Sequence, residues 1–205
     1  MLPANGESMD PHVHYQLCKG IAEIRMDDGK VNALSLERFE APGGAEANAM
    51  VRAGFELALG ILGFPSPVVI ACTGHAIAMG VFLVLAGAYR IGALGARRIG
   101  ANEVAIGIAM PHFGVEICRQ RLAPAHFQRA VTLAEMYAPE DAVAAGFLDR
   151  VVPAAEVEPA ARAVANRLAQ LDADVHVASK LRARAQALAS IRAAIEPDLS
   201  TPLAS

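Results

Sequence analysis

The stretch that decides the fold runs from Val68 to Leu94 and reads VVIACTGHAIAMGVFLVLAGAYRIGAL. Its opening run, Val68 to Cys72, is continuously apolar, which predicts a strand covered on both faces. Gly74 then turns the chain into a predicted helix of small residues over 76–86, and Tyr89 to Leu94 returns as a second strand. Because parallel strands need a crossover connection, the stretch predicts a βαβ unit and an α/β fold class.

The same stretch is apolar enough to raise the alternative of a transmembrane helix. Thr73, Gly74 and His75 interrupt it, and the apolar run that starts at Ala76 ends at Tyr89 and Arg90. A span of that length is typical of a buried helix. We therefore expect no membrane partner.

Shorter patterns extend this unit in both directions. We predict a half-buried hairpin from His14–Cys18 and Ile21–Met26, because Ala22, Ile24 and Met26 alternate with charged residues. Helical spacing predicts helices over 45–60, 125–135, 139–146, 156–171 and 175–195, and a strand over 148–152. The predicted organisation is a flexible tail (1–11), a core domain (12–153) and a C-terminal helical region (154–205) that carries Lys and Arg on its solvent face.

Composition excludes several classes of function. The 205 residues are 54% hydrophobic and 19% charged with a formal net charge of −3, which gives no basic surface for nucleic acid. Cys18, Cys72 and Cys118 are odd in number and lack the spacing of a metal site, so we expect no disulfide, no metal and a cytoplasmic location. The histidines show no ligand pattern either.

Residues 74–82, GHAIAMGVF, place backbone amides at the predicted start of a helix. The first N–H groups of a helix lack internal acceptors, so they can hold a thioester oxygen as it becomes an enolate. The alternative is that Gly74, Ala76, Ala78 and Gly80 only allow tight packing of a strand on a helix. Taken alone, the segment favours that structural alternative.

Glu103 is a single carboxylate within the otherwise apolar stretch Asn102–Pro111. Apolar surroundings raise the pKa of a carboxyl group, which suits a residue that takes and returns a proton near neutral pH. The alternative is a glutamate that faces water or caps a helix. The residue alone does not decide between them.

These segments, together with Lys30–Ser35 and Ala142–Val152, resemble the crotonase superfamily, specifically its enoyl-CoA hydratase/isomerase branch. The resemblance covers most of the chain. It implies a crotonase-like (ClpP/crotonase) spiral α/β fold of ββα units, followed by a helical C-terminal oligomerisation region. It also implies a homotrimer or hexamer.

The resemblance further implies a site for an acyl-CoA thioester, with no cofactor beyond the coenzyme A of the substrate. The Met79 N–H would be one of two oxyanion donors, and Glu103 would transfer the proton. The residues that would line the substrate and CoA site are Lys30, Val31, Ala33, Ala76, Gly80, Phe82 and Pro111. The activity expected first is enoyl-CoA hydratase, the addition of water to 2-enoyl-CoA in fatty-acid metabolism.

Two departures from the family keep other functions open. Phe82 stands where hydratases of the family have a second glutamate that helps to activate water, and a proton shuttle between carbons needs only one base. Around Arg38–Ala41 the chain also lacks a strand and a loop that would donate the first oxyanion N–H. Either it is a deletion form or further residues belong between Leu36 and Ala45. The alternatives are a Δ3,Δ2-enoyl-CoA isomerase and a non-catalytic acyl-CoA-binding homologue.

Overall fold

A computed structural model describes residues 12–27 and 44–200. The chain divides into two units, residues 1–35 and 36–205, and each is described by itself. The predicted core segment Lys30–Ser35 lies outside the described residues, as do residues 36–43, so the expected missing strand stays a prediction. The predicted boundaries at residues 11 and 153 stay predictions as well.

The described part of the first unit is an antiparallel hairpin of β1 (Val13–Cys18) and β2 (Ile21–Met26). Lys19 and Gly20 join the strands with φ of 51° and 80°, and positive φ at both positions is what a tight two-residue hairpin turn requires. The hairpin prediction is confirmed. The predicted half-buried face is wrong, since Ile24 and Met26 are both exposed. A two-stranded ribbon has no second layer of its own to cover one face.

The second unit starts with a long helix, followed by alternating short strands and helices. Its first half contains α1 (Gly44–Gly63), β3 (Val69–Cys72), β4 (Ala76–Ile77), α2 (Met79–Ala86), β5 (Tyr89–Ala93) and β6 (Ile99–Gly100). A short 3-10 turn at Val104–Ile106 comes next. The second half contains α3 (His112–Arg121), α4 (Pro124–Thr132), α5 (Pro139–Ala145), β7 (Arg150–Val152), a 3-10 turn at Ala154–Glu156, α6 (Val157–Leu168) and α7 (Ala173–Ser200).

Two small parallel sheets organise this unit. In the larger, β5 lies between β3 and β7, with Val69 opposite Tyr89 and Ile91 opposite Arg150. In the smaller, β4 pairs with β6 and Ala76 lies opposite Ile99. The predicted βαβ unit is confirmed. The strand covered on both faces is β5, however, because β3 lies at the sheet edge and leaves Ala71 exposed.

The predicted helix over 76–86 begins later than expected. Ala76 and Ile77 form β4, whose Ala76 N–H donates to the Arg98 carbonyl at 3.0 Å, and α2 starts only at Met79. The intervening Ala78 has φ 51° and ψ −126°, a conformation that a continuous helix cannot contain. The strand-to-helix turn therefore falls in the middle of the glycine-rich segment.

Two hydrophobic clusters hold the unit together. The smaller joins α6 to β5 and β7 through Ile91, Ala93, Val152, Val157 and Val164. The larger includes buried side chains of α1, α2, α3 and α7. At its centre the rings of Phe55 and Phe113 stack with centroids 4.1 Å apart. Packed aromatic rings of this kind contribute beyond the area that they bury.

Helix α7 covers the larger cluster of its own chain. In the sequence, the spacing of Leu181, Leu188, Ile191 and Ile195 predicts an exposed apolar stripe that marks an interface. Ile191 and Ile195 are buried, however, and Leu188 packs against the core, whereas Leu181 is 42% exposed. That part of the prediction is wrong, because the stripe faces α1 and α3. None of the helices in the described residues is long and apolar enough to cross a bilayer. The oligomeric state stays a prediction.

Candidate active site

The turn between β4 and α2 presents backbone N–H groups. The first bonds of α2 run from the N–H groups of Val81 and Phe82 to the Ala78 carbonyl, at 3.0 and 3.3 Å. The N–H groups of Met79 and Gly80 precede them, where a helix offers no internal acceptor. Positive φ at Ala78, a non-glycine residue, costs about 1–3 kcal/mol and often marks functional sites. The N–H groups of Met79 and Gly80 therefore lie at the start of α2, before the first N–H groups that bond within the helix.

The side chain of Met79 is directed toward α1. Its sulfur lies 3.0 Å from the point that a Cβ on Gly54 would occupy, so this glycine makes room for it. At Gly80 an added Cβ would meet no atom of the described chain within 4 Å. The methionine therefore packs against α1 while space remains open beside Gly80, the next residue in the turn.

Glu103 is a buried carboxylate, with only 6% of its surface exposed. Within the described residues its Oε2 atom is buried without a hydrogen-bond partner, and so is Oδ1 of the adjacent Asn102. Burial raises the pKa of Glu103 above its ordinary range, and the residue's own backbone N–H only partly offsets this effect. The predicted apolar setting is confirmed; the catalytic role stays a prediction.

A tight turn and helix α3 fix the position of Glu103. Its carbonyl accepts hydrogen bonds from the N–H groups of Ile106 and Ile108, at 3.1 and 2.9 Å. The buried thiol of Cys118 on α3 lies close enough to respond to the carboxylate. The pKa of Cys118 is raised to about 12, mainly by burial and to a smaller extent by the charge of Glu103. Helix α3 therefore forms part of the wall around Glu103.

Phe82 fills the position that the resemblance assigns to a second glutamate. It is 2% exposed, and its ring meets Phe113 edge-on with centroids 5.9 Å apart. Its Cζ atom lies 2.8 Å from where a Cβ on Gly114 would stand, as does the sulfur of Met110. The ring is closely packed between α2 and α3, so this position offers no carboxylate to a substrate.

The other predicted site residues divide into two groups. Ala76 is buried in β4, and Pro111 is buried immediately before α3, whereas their predicted place at the substrate site stays a prediction. Lys30, Val31 and Ala33 lie outside the described residues. Their predicted CoA contacts therefore stay predictions. No group of three or more His, Cys, Asp or Glu side chains in the described ranges is placed to hold a metal ion.

Sequence analysis missed helix α3 and its buried cap. Pro111 precedes a run with Gly114 inside it and no side-chain cap of its own, so the local pattern gave a weak helix signal. The cap comes from α7: Asp198 accepts hydrogen bonds from the N–H groups of His112 and Phe113. A partner 85 residues away leaves no local signal.

The prediction that Lys and Arg of α7 face solvent is wrong for two of them. Arg184 is buried and donates to the Leu62 carbonyl at 2.8 Å, and Lys180 donates to the Phe64 carbonyl at 2.7 Å. Arg121 donates to the Leu85 and Gly87 carbonyls. These cations lie at the C-terminal ends of α1 and α2, where positive charge complements the helix dipole. The opposite end of α2 carries the N–H groups of the site.

Two surface depressions lie away from these residues. One of about 450 Å³ is lined by α6, and one of about 270 Å³ by residues of α4, α5 and the segment between them, including Tyr137. Neither is lined by Met79 or Glu103. The candidate site consists instead of the N–H groups at the start of α2 and the buried carboxylate of Glu103.

Parallel strands followed by helices, amide donors at a strand-to-helix turn and one buried carboxylate define a crotonase-type protein. The chain belongs to the enoyl-CoA hydratase/isomerase family, whose model matches residues 36–200. Members of this family act on acyl-CoA substrates. The fold is the crotonase fold.

Solved structures agree with this assignment. An enoyl-CoA hydratase/isomerase family protein from Pseudomonas syringae is 37% identical, with a TM-score of 0.89 over 94% of this chain and 99% of its own. Enoyl-CoA hydratase EchA3 from Mycobacterium ulcerans is 38% identical, with a TM-score of 0.89 over 92% and 98%. A protein from Mycobacterium tuberculosis, named an enoyl-CoA isomerase in one solved structure and a probable enoyl-CoA hydratase EchA3 in another, is 39% identical, and the first of these structures has a TM-score of 0.85 over 94% of this chain and 99% of its own. No curated protein matches the chain.

Proposed function

We propose that this protein is a Δ3,Δ2-enoyl-CoA isomerase that moves the double bond of a 3-enoyl-CoA into conjugation with the thioester. The observation that carries the proposal is Glu103, a buried carboxylate whose Oε2 atom has no hydrogen-bond partner among the described residues, in a chain where Phe82 stands at the position that the resemblance assigns to the second carboxylate. Moving one proton between two carbons requires one base, whereas activating water is usually shared between two.

In the proposed reaction Glu103 removes a proton from C2 of the substrate. The electron pair of that C–H bond moves toward the thioester carbonyl, and the resulting enolate oxygen accepts a hydrogen bond from the Met79 N–H. The carbonyl then re-forms, the enolate electron pair between C1 and C2 becomes the new C2=C3 double bond, and the π pair of the old C3=C4 double bond takes the proton from Glu103 at C4. Atoms and charge balance without a co-reactant, and Glu103 ends as it began.

The environment of Glu103 suits both halves of this cycle. Burial raises its pKa, which brings the carboxyl group closer to the pH at which it must accept and return a proton. Low solvent access also limits the exchange of that proton with water. A single side chain can therefore serve as base and acid in turn.

Hydratase activity, which the sequence favours first, is the second candidate. It is supported by the 38% identity to a protein named enoyl-CoA hydratase. In that reaction Glu103 would protonate C2 while water adds at C3, without help from position 82. A non-catalytic acyl-CoA-binding role is the third candidate; Phe82 favours it, as would the absence of the strand that the sequence is expected to lack.

Parallel turnover assays separate the three candidates. The purified protein is given a 3-enoyl-CoA in one assay and crotonyl-CoA in another, with thermal shift by acyl-CoA as the binding control. Isomerisation much faster than hydration supports our proposal. Faster hydration replaces it with the second candidate, and a thermal shift without turnover of either substrate replaces it with the third.

The assembly, location and CoA contacts are part of the same proposal. We propose a cytoplasmic homotrimer or hexamer that needs no cofactor besides the coenzyme A of its substrate, with Lys30, Val31 and Ala33 at the CoA moiety. Light scattering at micromolar concentration tests the assembly. Lys30→Ala tests the CoA contact, because it should raise KM more than it lowers kcat.

A further inference from the structure

Asp198 connects the last described turn of α7 to the start of α3. It is 4% exposed, so its charge is almost fully removed from water. Its Oδ1 atom accepts the His112 N–H at 2.9 Å, and its Oδ2 atom accepts the Phe113 N–H at 2.8 Å. Both oxygens of one carboxylate therefore cap the first two amides of α3. Negative charge at this position also complements the helix dipole.

Helix α3 starts directly after the segment that carries Glu103. Phe113, whose N–H is capped, packs its ring against Phe82, and Cys118, five residues further along α3, is buried near enough to Glu103 to respond to its charge. A shift at the start of α3 would therefore move the apolar wall that shields Glu103. Such a wall controls how strongly burial acts on a carboxylate.

Other contacts of α7 serve a different purpose. Arg52 on α1 forms an ion pair with Glu196 on α7 at 2.5 Å, and the Asn48 side chain donates to the Leu199 carbonyl at 3.2 Å. These two contacts hold α7 against α1. Among the hydrogen bonds of the described residues, those of Asp198 are the ones that join a side chain of α7 to α3.

We propose that Asp198 is a positioning residue for the acid–base group of this enzyme. By accepting hydrogen bonds from the first two amides of α3, it holds in place the apolar side chains that shield Glu103 from water. The kinetic part of this inference rests on the proposed function. The structural part concerns only the surroundings of Glu103 and does not depend on which reaction the protein catalyses.

The test compares Asp198→Asn with Glu196→Gln as the matched control. Asparagine keeps the shape but loses the charge and one acceptor oxygen, whereas Glu196→Gln weakens the α1–α7 contact and leaves α3 untouched. The pKa of Glu103 is measured by NMR with ¹³C-labelled glutamate, and its signal is assigned from Glu103→Gln. Turnover and thermal unfolding are measured on the same samples, and Asp198→Ser is the second variant, since a hydroxyl oxygen still accepts one amide.

We expect Asp198→Asn to lower the Glu103 pKa by about one unit, because the carboxylate gains water. We also expect kcat to fall about tenfold with KM changed less than about twofold, because the lost interaction serves the reaction rather than binding. Glu196→Gln should change neither quantity.

Three outcomes overturn the proposal. The first is a folded Asp198→Asn with lower thermal stability but unchanged Glu103 pKa and kcat, which would make Asp198 a structural cap only. The second is an equal pKa change in Glu196→Gln. The third is failure of both Asp198 variants to fold while Glu196→Gln folds. If the wild-type protein turns over neither substrate, the proposed function fails, and the NMR measurement still decides the role of Asp198.

Discussion

The ring of Phe82 lies edge-on to the ring of Phe113, with centroids 5.9 Å apart and planes inclined at 75°. This contact joins α2, which carries the Met79 N–H, to α3, which carries the Cys118 thiol that responds to the charge of Glu103. Both rings are buried, and edge-to-face pairs of this kind are favourable beyond their buried area. The two halves of the candidate site are therefore connected through the hydrophobic core.

Phe82→Glu tests what that contact contributes. From the sequence, restoring the second carboxylate should raise hydration relative to isomerisation. The structure also predicts a loss of stability, because the substitution would place a charge in a packed core and remove the contact between the rings of Phe82 and Phe113. We expect a loss of about 4 kcal/mol in the free energy of unfolding, measured by urea titration.

Phe82→Leu is the matched control for this substitution. It should cost only about 1–2 kcal/mol, because it removes volume without burying a charge. Equal stability of Phe82→Glu and wild type would contradict the buried position of the ring. A folded Phe82→Glu with an unchanged ratio of hydration to isomerisation would contradict the assignment of position 82.

Glu103→Gln should lower turnover by about 10²- to 10⁴-fold, because general acid–base groups typically contribute that much. Affinity for acyl-CoA, measured by thermal shift, should stay nearly unchanged. Glu116→Gln is the control, since Glu116 lies on α3 and pairs with Arg119 at 3.3 Å. Nearly full activity of Glu103→Gln would remove Glu103 from the mechanism.

The pH profile of the wild-type enzyme provides a second test of Glu103. A base must be deprotonated to act, so activity should fall as the pH drops through the Glu103 pKa. Because burial raises that pKa, the acidic limb should lie above about 4.3, the value for an ordinary glutamate. An acidic limb at or below the ordinary value would contradict the buried setting.

Because of Lys180, the free energy of unfolding should change with pH in the alkaline range. The pKa of Lys180 is lowered to about 8 in the folded state, mainly by burial and to a smaller extent by the nearby charges of Arg184 and Arg121. Between about pH 8 and the unfolded value of about 10.4, the unfolded chain binds a proton that the folded chain has lost. The contribution of Lys180 to stability is therefore complete above that range and is lost as the pH falls through the folded pKa.

Lys180→Met isolates this effect. The difference in unfolding free energy between wild type and variant should grow in favour of wild type as the pH rises through that window. Urea titrations at several pH values measure it, and Arg182→Met, at an exposed position on the same helix, is the control. A difference that does not change with pH would show that Lys180 keeps its ordinary pKa.

Truncation before Val175 should unfold the second unit as well as change its assembly. It removes Ile191 and Ile195, which are buried against the chain's own core, together with the Asp198 cap. We expect loss of a cooperative thermal transition in circular dichroism. A truncated protein that still melts cooperatively as a smaller species in light scattering would instead identify α7 as an oligomerisation element only.

The sequence predicted the elements whose signals are local. The apolar run at Val69–Cys72 and the strand at Tyr89–Ala93 were recognisable from composition alone. Helix α5 ends at Gly146, whose φ of 93° is a conformation that favours glycine. Glu103 was recognisable because one charge within an apolar stretch is unusual. These features depend on neighbours within a few residues.

Features that depend on distant partners were not predictable. Helix α3 has its cap on α7, and the buried state of Lys180 depends on carbonyl groups of Phe64 and Ser66 more than 100 residues away. The exposed hairpin face was missed for the opposite reason, since alternation predicts a face but not a cover for it. The place of Phe82 at the site stays a prediction, whereas its enclosure in the core could be seen only in the structure.

The long sequence separation of the contacts that α7 makes also affects the order in which parts of the protein fold during synthesis. Its contacts bridge 85 residues to α3 and 144 residues to α1. Until residues 184–198 have left the ribosome, the α3 amides lack their cap, and the hydrophobic cluster that contains Phe55 and Ile117 lacks Ile191. Apolar surface that waits for a late partner is a target for chaperones and for aggregation. The core around α3 is therefore among the last parts of this protein to become native, and slow translation beyond residue 160 would prolong its most vulnerable state.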